Sequence, residues 1–215
     1  MALEVKICGL STNETLSAAL AGGTDLVGLV FYARSPRALS PRQAAALAAQ
    51  VPQGVCKVGL FVDPDDETLA QTAHTVGLDM LQLHGEESPS RVAAIKAATG
   101  LPVMKVIKLR QPEDLAVAKN YFEVADRLLF DAKPPPEATD ALPGGNALSF
   151  DWHMLAGTDW PLPWMLAGGL TAANLAEAVA VTGARAVDVS SGVESAPGRK
   201  DPALIREFLA TARSL

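Results

Sequence analysis

The chain has 215 residues, 49% of them apolar and 20% charged, which is the balance of a soluble globular protein and not of a disordered one. At about 150 residues per domain it has room for one large domain or two small ones. With 18 Lys plus Arg against 24 Asp plus Glu, the formal net charge of −6 argues against a nucleic-acid or anionic-membrane partner. Two cysteines, Cys8 and Cys56, offer no disulfide framework. The first residues set an acid and a lysine where a signal peptide needs an apolar stretch. The longest charge-free run, Trp160 to Ala176, is broken by Pro161, Pro163, Gly168 and Gly169 and so is not a spanning helix. The expectation is a cytoplasmic protein.

Short runs rich in Val, Ile, Leu and Phe recur along the chain, and each is followed by an Ala- and Leu-rich helical pattern. The expected strands are Leu3–Cys8, Asp25–Phe31, Val55–Val62, Leu78–His84, Pro102–Ile107, Arg127–Asp131, Pro163–Ala167 and Ala186–Ser190. Most are continuous apolar runs, not alternations, as strands buried on both faces of a parallel sheet are. Ser40-Pro41, Asp63-Pro64, Ser88-Pro89 and Asp201-Pro202 each supply a capping oxygen followed by a proline for the first helical position. Gly22-Gly23, Gly77, Gly100 and Gly183 close four helices just before a strand begins. After Pro202, the stripe Ile205, Phe208, Leu209 and Ala212 marks a helix with one apolar face. Lys133 to Ser149, with Pro134-Pro135-Pro136 and Gly144-Gly145, reads as a long loop after the sixth strand.

Eight strand–helix units in this length leave roughly 27 residues each, enough for a strand, a helix and two short loops. A doubly wound sheet would carry a Gly-rich turn after its first strand, and Cys8-Gly9-Leu10-Ser11 is not one. The reading is therefore a single α/β domain over residues 1–215, a closed (β/α)8 TIM barrel.

In such barrels the chemistry sits at the C-terminal ends of the strands. Those ends carry Cys8, then Arg34 and Arg37, Asp63, His84, Lys108 and Asp131. Gly168-Gly169 and Ser190-Ser191-Gly192 follow the last two strands. No repeated His, Asp or Glu spacing points to a metal. The two small-residue turns stand where barrels bind phosphate through backbone N–H groups, although glycines there also simply relieve tight turns. Cys8 differs from an ordinary core cysteine because it ends its strand with Lys6 two residues earlier on the same face. A lysine charge there is expected to lower the thiol pKa, with desolvation working against it, and so make Cys8 a base. Cys56 is expected to be core. Asp131 either caps its loop or takes part in catalysis, and Asp151 caps a helix. Asp188, inside its strand, needs a buried basic partner or a substrate hydroxyl. His84 ends its strand as well, but a histidine there is more often structural than catalytic.

Several segments in order resemble the phosphoribosylanthranilate isomerase family. They are Lys6-Ile7-Cys8-Gly9, Gly28 to Phe31 with Ser35-Pro36-Arg37, Val58 to Val62, Gln82-Leu83-His84-Gly85, and Asp131. Gly144-Gly145 with Phe150-Asp151-Trp152, Gly168-Gly169-Leu170 with Asn174, and Asp188 to Glu194 with Gly198 and Lys200-Asp201 complete the set. The resemblance implies a (β/α)8 barrel enzyme of tryptophan biosynthesis that isomerises N-(5-phosphoribosyl)anthranilate by an Amadori rearrangement without cofactor. It also implies Asp131 as general acid, Cys8 as general base and Arg37 paired with the anthranilate carboxylate. Phosphate would be held at Gly168, Gly169, Ser190, Ser191 and Gly192, with Asp188 also on the substrate. The family usually has a third glycine where this chain has Ala147. The partner expected is a small phosphosugar, the oligomeric state monomer or weak homodimer. Two other readings compete on residue type: a Schiff-base aldolase using Lys6, Lys105 or Lys108, and a non-catalytic phosphosugar-binding or thiol-sensing protein.

Overall fold

The apolar runs become eight strands: β1 (Glu4–Cys8), β2 (Leu26–Val30), β3 (Cys56–Phe61), β4 (Met80–Leu83), β5 (Val103–Leu109), β6 (Arg127–Ala132), β7 (Trp164–Leu166) and β8 (Ala186–Val189). The computed structural model describes residues 2–135, 137 and 142–215. In it the strands pair in sequence order, all parallel, and β8 returns to β1 to close the expected (β/α)8 barrel. Six strands fall inside their expected runs. β5 and β6 run further, to Leu109 and Ala132, because Lys108 pairs with Asp131 and Leu109 with Ala132 in one continuous register.

Continuous apolar runs are explained by two cores. One face of the strands packs outward through Ile7, Val27, Leu29 and Phe130 against helix residues such as Leu16, Leu69, Val92 and Phe208. The alternate positions fill the barrel interior with Leu26, Val58, Met104, Val106, Leu129 and Met165.

The helices are α1 (Asn13–Ala21), α2 (Pro41–Ala48), α3 (Asp66–Val76), α4 (Pro89–Thr99), α5 (Leu175–Thr182) and α6 (Pro202–Arg213). Ser40, Ser88 and Asp201 cap α2, α4 and α6 through side-chain oxygens, each followed by its proline. Asp63 does not cap α3. Asp65 does, while Asp63 takes a φ of 45° and turns its carboxylate to accept the N–H of Glu86. Gly77, Gly100 and Gly183 end their helices in the left-handed conformation, but Gly22 ends α1 right-handed and Gly23 takes the positive φ.

Two expected α-helices are 3-10 instead, Pro112–Tyr121 and Trp152–Leu155. The first begins with the Asp114 carboxylate accepting the N–H groups of Arg110 and Gln111, and the second has only four residues before its end at Ala156. A hairpin not anticipated, β9 (Glu194–Ala196) with β10 (Arg199–Lys200), stands between β8 and α6. The described part of the 133–149 loop holds no helix or strand, and Pro136 lies outside the described residues. Among the described residues no helix is long and apolar enough to cross a membrane.

A buried ion pair braces one side of the rim. Lys105 Nζ donates to Glu87 Oε2 at 2.6 Å and to the Gly85 carbonyl at 2.8 Å. Glu87 Oε1 accepts the N–H groups of Asp63 and Gly85, so one carboxylate ties together the ends of β3, β4 and β5. Breaking such a pair by removing one partner costs about 3–5 kcal/mol, because the other charge stays buried.

Candidate active site

One cavity opens at the C-terminal end of the barrel. Its lining includes Cys8, Arg37, His84, Asp131, Gly168 and Ser191, with Val30, Tyr32, Leu60 and Val62 forming an apolar wall.

Cys8 ends β1 opposite Gly28 of β2. A Cβ at Gly28 would stand 2.8 Å from Cys8 Sγ and 3.1 Å from Lys6 Nζ. The thiol and the ammonium group therefore share the space a side chain would have filled. Lys6 is fully buried and donates to Asp188 Oδ1 at 2.9 Å across the β1–β8 seam. Asp188 thus has the buried basic partner that its position demanded. Burial pushes Lys6 down, but Asp188 and Cys8 beside it leave its pKa above the ordinary value.

For Cys8 the expected net lowering does not appear. Burial raises the thiol pKa more than the Lys6 charge lowers it, and Asp188 adds to the rise. Spacing along the strand brought Lys6 to the right place and burial was expected to oppose it, but neither the extent of that burial nor the third charge could be read from spacing. Cys56 is half-buried at the other end of the interior, its thiol pushed up to about 11 chiefly by burial.

Asp131, on β6, accepts the N–H of Ala132 at Oδ1, 2.8 Å away. Its Oδ2 lies 3.3 Å from His84 Nε2. The 142–148 segment closes over both. A Cβ on Gly144 would come within 2.8 Å of Asp131 Oδ2 and 2.9 Å of His84 Nε2, so that close approach requires glycine.

Arg37 is buried although it sits in the loop after β2. Nε and Nη2 donate to the two oxygens of Glu194 at 2.7 and 2.8 Å, and Nη2 also to the Gly145 carbonyl at 3.0 Å. Burial pushes the Glu194 carboxyl up, but the Arg37 hydrogen bonds and the Lys200 charge outweigh it and hold it below the usual range. Lys200 donates to Glu194 Oε1 at 2.6 Å and to Ser190 O and Oγ at 3.0 and 3.1 Å. Burial lowers its pKa against the pull of Glu194.

Gly168 and Gly169 turn at φ of 87° and 69°, conformations that favour glycine. Asn174 holds that turn, accepting the N–H of Thr171 and donating to the Gly169 carbonyl. Beside it Ser191 opens a 3-10 turn whose first N–H groups have no acceptor within it. Gly192 stands behind Ser191, where a Cβ would collide with the Leu170 carbonyl.

Other candidates lie apart. Arg34 is exposed, Asp151 caps the 3-10 turn at Trp152, and Lys108 is tied to Glu86 at 2.8 Å. Lys6, Lys105 and Lys108 are each taken up in an ion pair, whereas a Schiff-base lysine must present a neutral amine. Sequence reasoning gave Glu194, Lys200 and Gln82 no role of their own. Glu194 and Lys200 flank a Pro-Gly turn, and that hairpin signal was the clue that would have brought them together. Among the described residues no cluster of His, Cys, Asp and Glu could hold a metal ion.

The model of the family described as N-(5'phosphoribosyl)anthranilate (PRA) isomerase matches residues 5–211. The N-(5'-phosphoribosyl)anthranilate isomerase of Rhodospirillum centenum is 60% identical over 215 residues, 100% of each chain. That of Paramagnetospirillum magneticum is 59% identical, covering 99% of this chain and 98% of its own. Among solved structures, phosphoribosyl anthranilate isomerase from Thermotoga maritima has a TM-score of 0.88 at 35% identity, covering 99% of this chain and 100% of that one. A phosphoribosyl anthranilate isomerase in complex with reduced 1-(O-carboxyphenylamino)-1-deoxyribulose 5-phosphate has a TM-score of 0.83 at 33% identity, with the same coverage.

Proposed function

Because the chain belongs to the N-(5'-phosphoribosyl)anthranilate isomerase family, we propose that Cys8 and Asp131 are the base and the acid of that isomerisation. The protein is an isomerase of tryptophan biosynthesis. It converts N-(5-phosphoribosyl)anthranilate to 1-(2-carboxyphenylamino)-1-deoxyribulose 5-phosphate.

Asp131 gives a proton to the furanose ring oxygen as the bond from that oxygen to C1 breaks, and the nitrogen lone pair forms the Schiff base. Cys8, as thiolate, takes the proton from C2 to leave an enolamine. The C2 hydroxyl then gives up its proton and C1 receives one, which yields the ketone. Each transfer supplies roughly 10²–10⁴-fold when the group is in hydrogen-bond reach. The buried Lys6 ammonium stabilises the thiolate as it forms. The turns at Gly168-Gly169 and Ser190-Ser191-Gly192 receive the phosphate through backbone N–H groups. Arg37, its fork oriented by Glu194, faces the anthranilate carboxylate, with the apolar wall of Val30, Leu60 and Val62 against the ring. Asp188 acts on the substrate side of its pair with Lys6. The protein works as one barrel domain over residues 1–215 on a small phosphosugar, as a monomer or weak homodimer.

One observation carries this reading: a thiol at the end of β1 and a carboxyl at the end of β6 line one cavity, between a pair of N–H turns and a buried guanidinium. Anthranilate fluorescence follows turnover directly. Cys8→Ser and Asp131→Asn are each expected to lose at least a hundredfold in kcat while still binding product. Near-normal turnover in either variant removes that residue from its role.

A further inference from the structure

We propose that His84, steadied by Gln82, stores the proton that Asp131 delivers to the substrate, an inference that rests on Asp131 being the general acid. The observation is a row of three buried groups from the end of β4 and from β6, the two strands that flank β5. Gln82 and His84 are 1% and 4% exposed at the end of β4, and Asp131 is 7% exposed on β6. Gln82 Nε2 lies 3.4 Å from His84 Nδ1, and His84 Nε2 lies 3.3 Å from Asp131 Oδ2. Gln82 Oε1 and His84 Nε2 are nonetheless both buried without an aligned hydrogen bond. Two such atoms beside one cavity are unusual, since buried polar groups are nearly always paired.

A store of protons is what the chemistry lacks. At pH 7 an ordinary carboxylic acid holds its proton in about one molecule per thousand, an ordinary imidazole in about one per four. An acid catalyst made of a carboxyl alone would almost always meet its substrate unloaded. With an imidazole nitrogen 3.3 Å from the same oxygen, the carboxyl has a neighbour from which it can be reloaded. In the loaded state the imidazolium Nε2–H donates to the Asp131 carboxylate. As reaction begins the Nε2–H bond breaks and an Oδ2–H bond forms. That bond breaks in turn when the ring oxygen takes the proton and its bond to C1 opens. The proton later lost by the C2 hydroxyl returns to the pair, while Cys8 passes the proton it took from C2 to C1. Both groups then stand as they began.

Gln82 makes both charge states of the imidazole tolerable. In the present orientation its Nε2 donates to an unprotonated Nδ1. Half a turn of the amide brings Oε1 to accept an Nδ1–H, and this is the oxygen that now has no partner. The other charged or titratable groups lining the cavity are Cys8, Tyr32, Arg37 and Asp188, while β3 and the residue after it present only Leu60 and Val62. Lys108 on β5 is held away by Glu86.

The chain has three histidines, and the other two, His74 and His153, are exposed. Replacing both by glutamine leaves His84 as the one nitrogen-15 imidazole signal. His84 is expected to hold its second proton to a pH at least one unit higher with Asp131 present than in Asp131→Asn. Identical titrations, or an imidazole neutral throughout, overturn the proposal without any assay of turnover. Activity is the second arm. The ratio of His84→Gln to wild-type kcat is expected to fall at least tenfold between about pH 6 and pH 8, with product binding retained. A flat ratio is what a purely structural role produces, and it overturns the proposal. Full turnover by Asp131→Asn instead refutes the acid assignment beneath it, whatever His84 does.

Discussion

Replacing Lys6 by methionine removes the ammonium group that stands between Asp188 and Cys8. Nζ and Sγ each lie close to the same point above Gly28, 3.1 and 2.8 Å from it, so they are no more than about 6 Å apart. At an effective dielectric of about 20, that separation is worth roughly 2.8 kcal/mol, or about two units on the thiol pKa. Asp188 stays behind unpaired, and its charge raises the thiol further. Thiolate rises with pH, so a higher thiol pKa means less base at any neutral pH. Both alkylation of Cys8 by iodoacetamide and kcat should drop about a hundredfold near pH 7.5. Asp188→Asn has the opposite sign, because it removes the charge that raises the thiol, and alkylation should begin at lower pH. Mass analysis of the peptide containing Cys8 gives the rate, with Cys56, titrating at about 11, as reference within the same chain. The pair is buried, so each variant also loses stability, by about 3–5 kcal/mol for Lys6→Met. Alkylation of Lys6→Met at the wild-type rate, or a shift of both variants in the same direction, refutes the electrostatic account of the base.

Ala147 stands at a φ of 55°, where a β-carbon costs roughly 1–2 kcal/mol, partly offset by the greater freedom glycine has when unfolded. Ala147→Gly should therefore raise Tm by about 2 °C, and a lower Tm by calorimetry contradicts the strain. Glu194→Gln leaves the guanidinium of Arg37 held by one oxygen and a carbonyl. KM should rise about tenfold or more while kcat changes only a few-fold, and an unchanged KM shows that Glu194 does not orient the substrate-binding fork.

The barrel was legible because burial on both faces turns each strand into a continuous apolar run, and Ser40, Ser88 and Asp201 mark helix starts by local chemistry. Local signals also misled. Asp63-Pro64 has the form of a cap, yet Asp63 is drawn away by the N–H of Glu86 on the next strand's loop. The positions of Cys8, Asp131 and the two small-residue turns followed from strand ends. What stayed hidden depends on partners distant in sequence. Lys6 meets Asp188 across 182 positions, and Arg37 meets Glu194 across 157. Pairwise reasoning along β1 saw Lys6, Cys8 and an opposing loss of water, but not how complete that loss is nor the charge of Asp188, and those two reversed the sign of the thiol's shift. The departure at Ala147 was visible as a missing glycine, but only the backbone angle gives it a physical cost.

The Lys6–Asp188 contact also ties the surroundings of the Cys8 thiol to the order in which the chain is completed. Lys6 belongs to the first strand of the barrel and Asp188 to the last, and α6 reaches back to the start of β1 through Arg213, which donates to the Leu3 carbonyl. Until β8 arrives, Lys6 has no counter-charge and an open edge faces β1. The step that seals the cylinder is therefore the step that surrounds the thiol with its charges. A chain halted short of β8 is unclosed and lacks Asp188, so the charges that set the thiol's pKa come together only in the completed barrel.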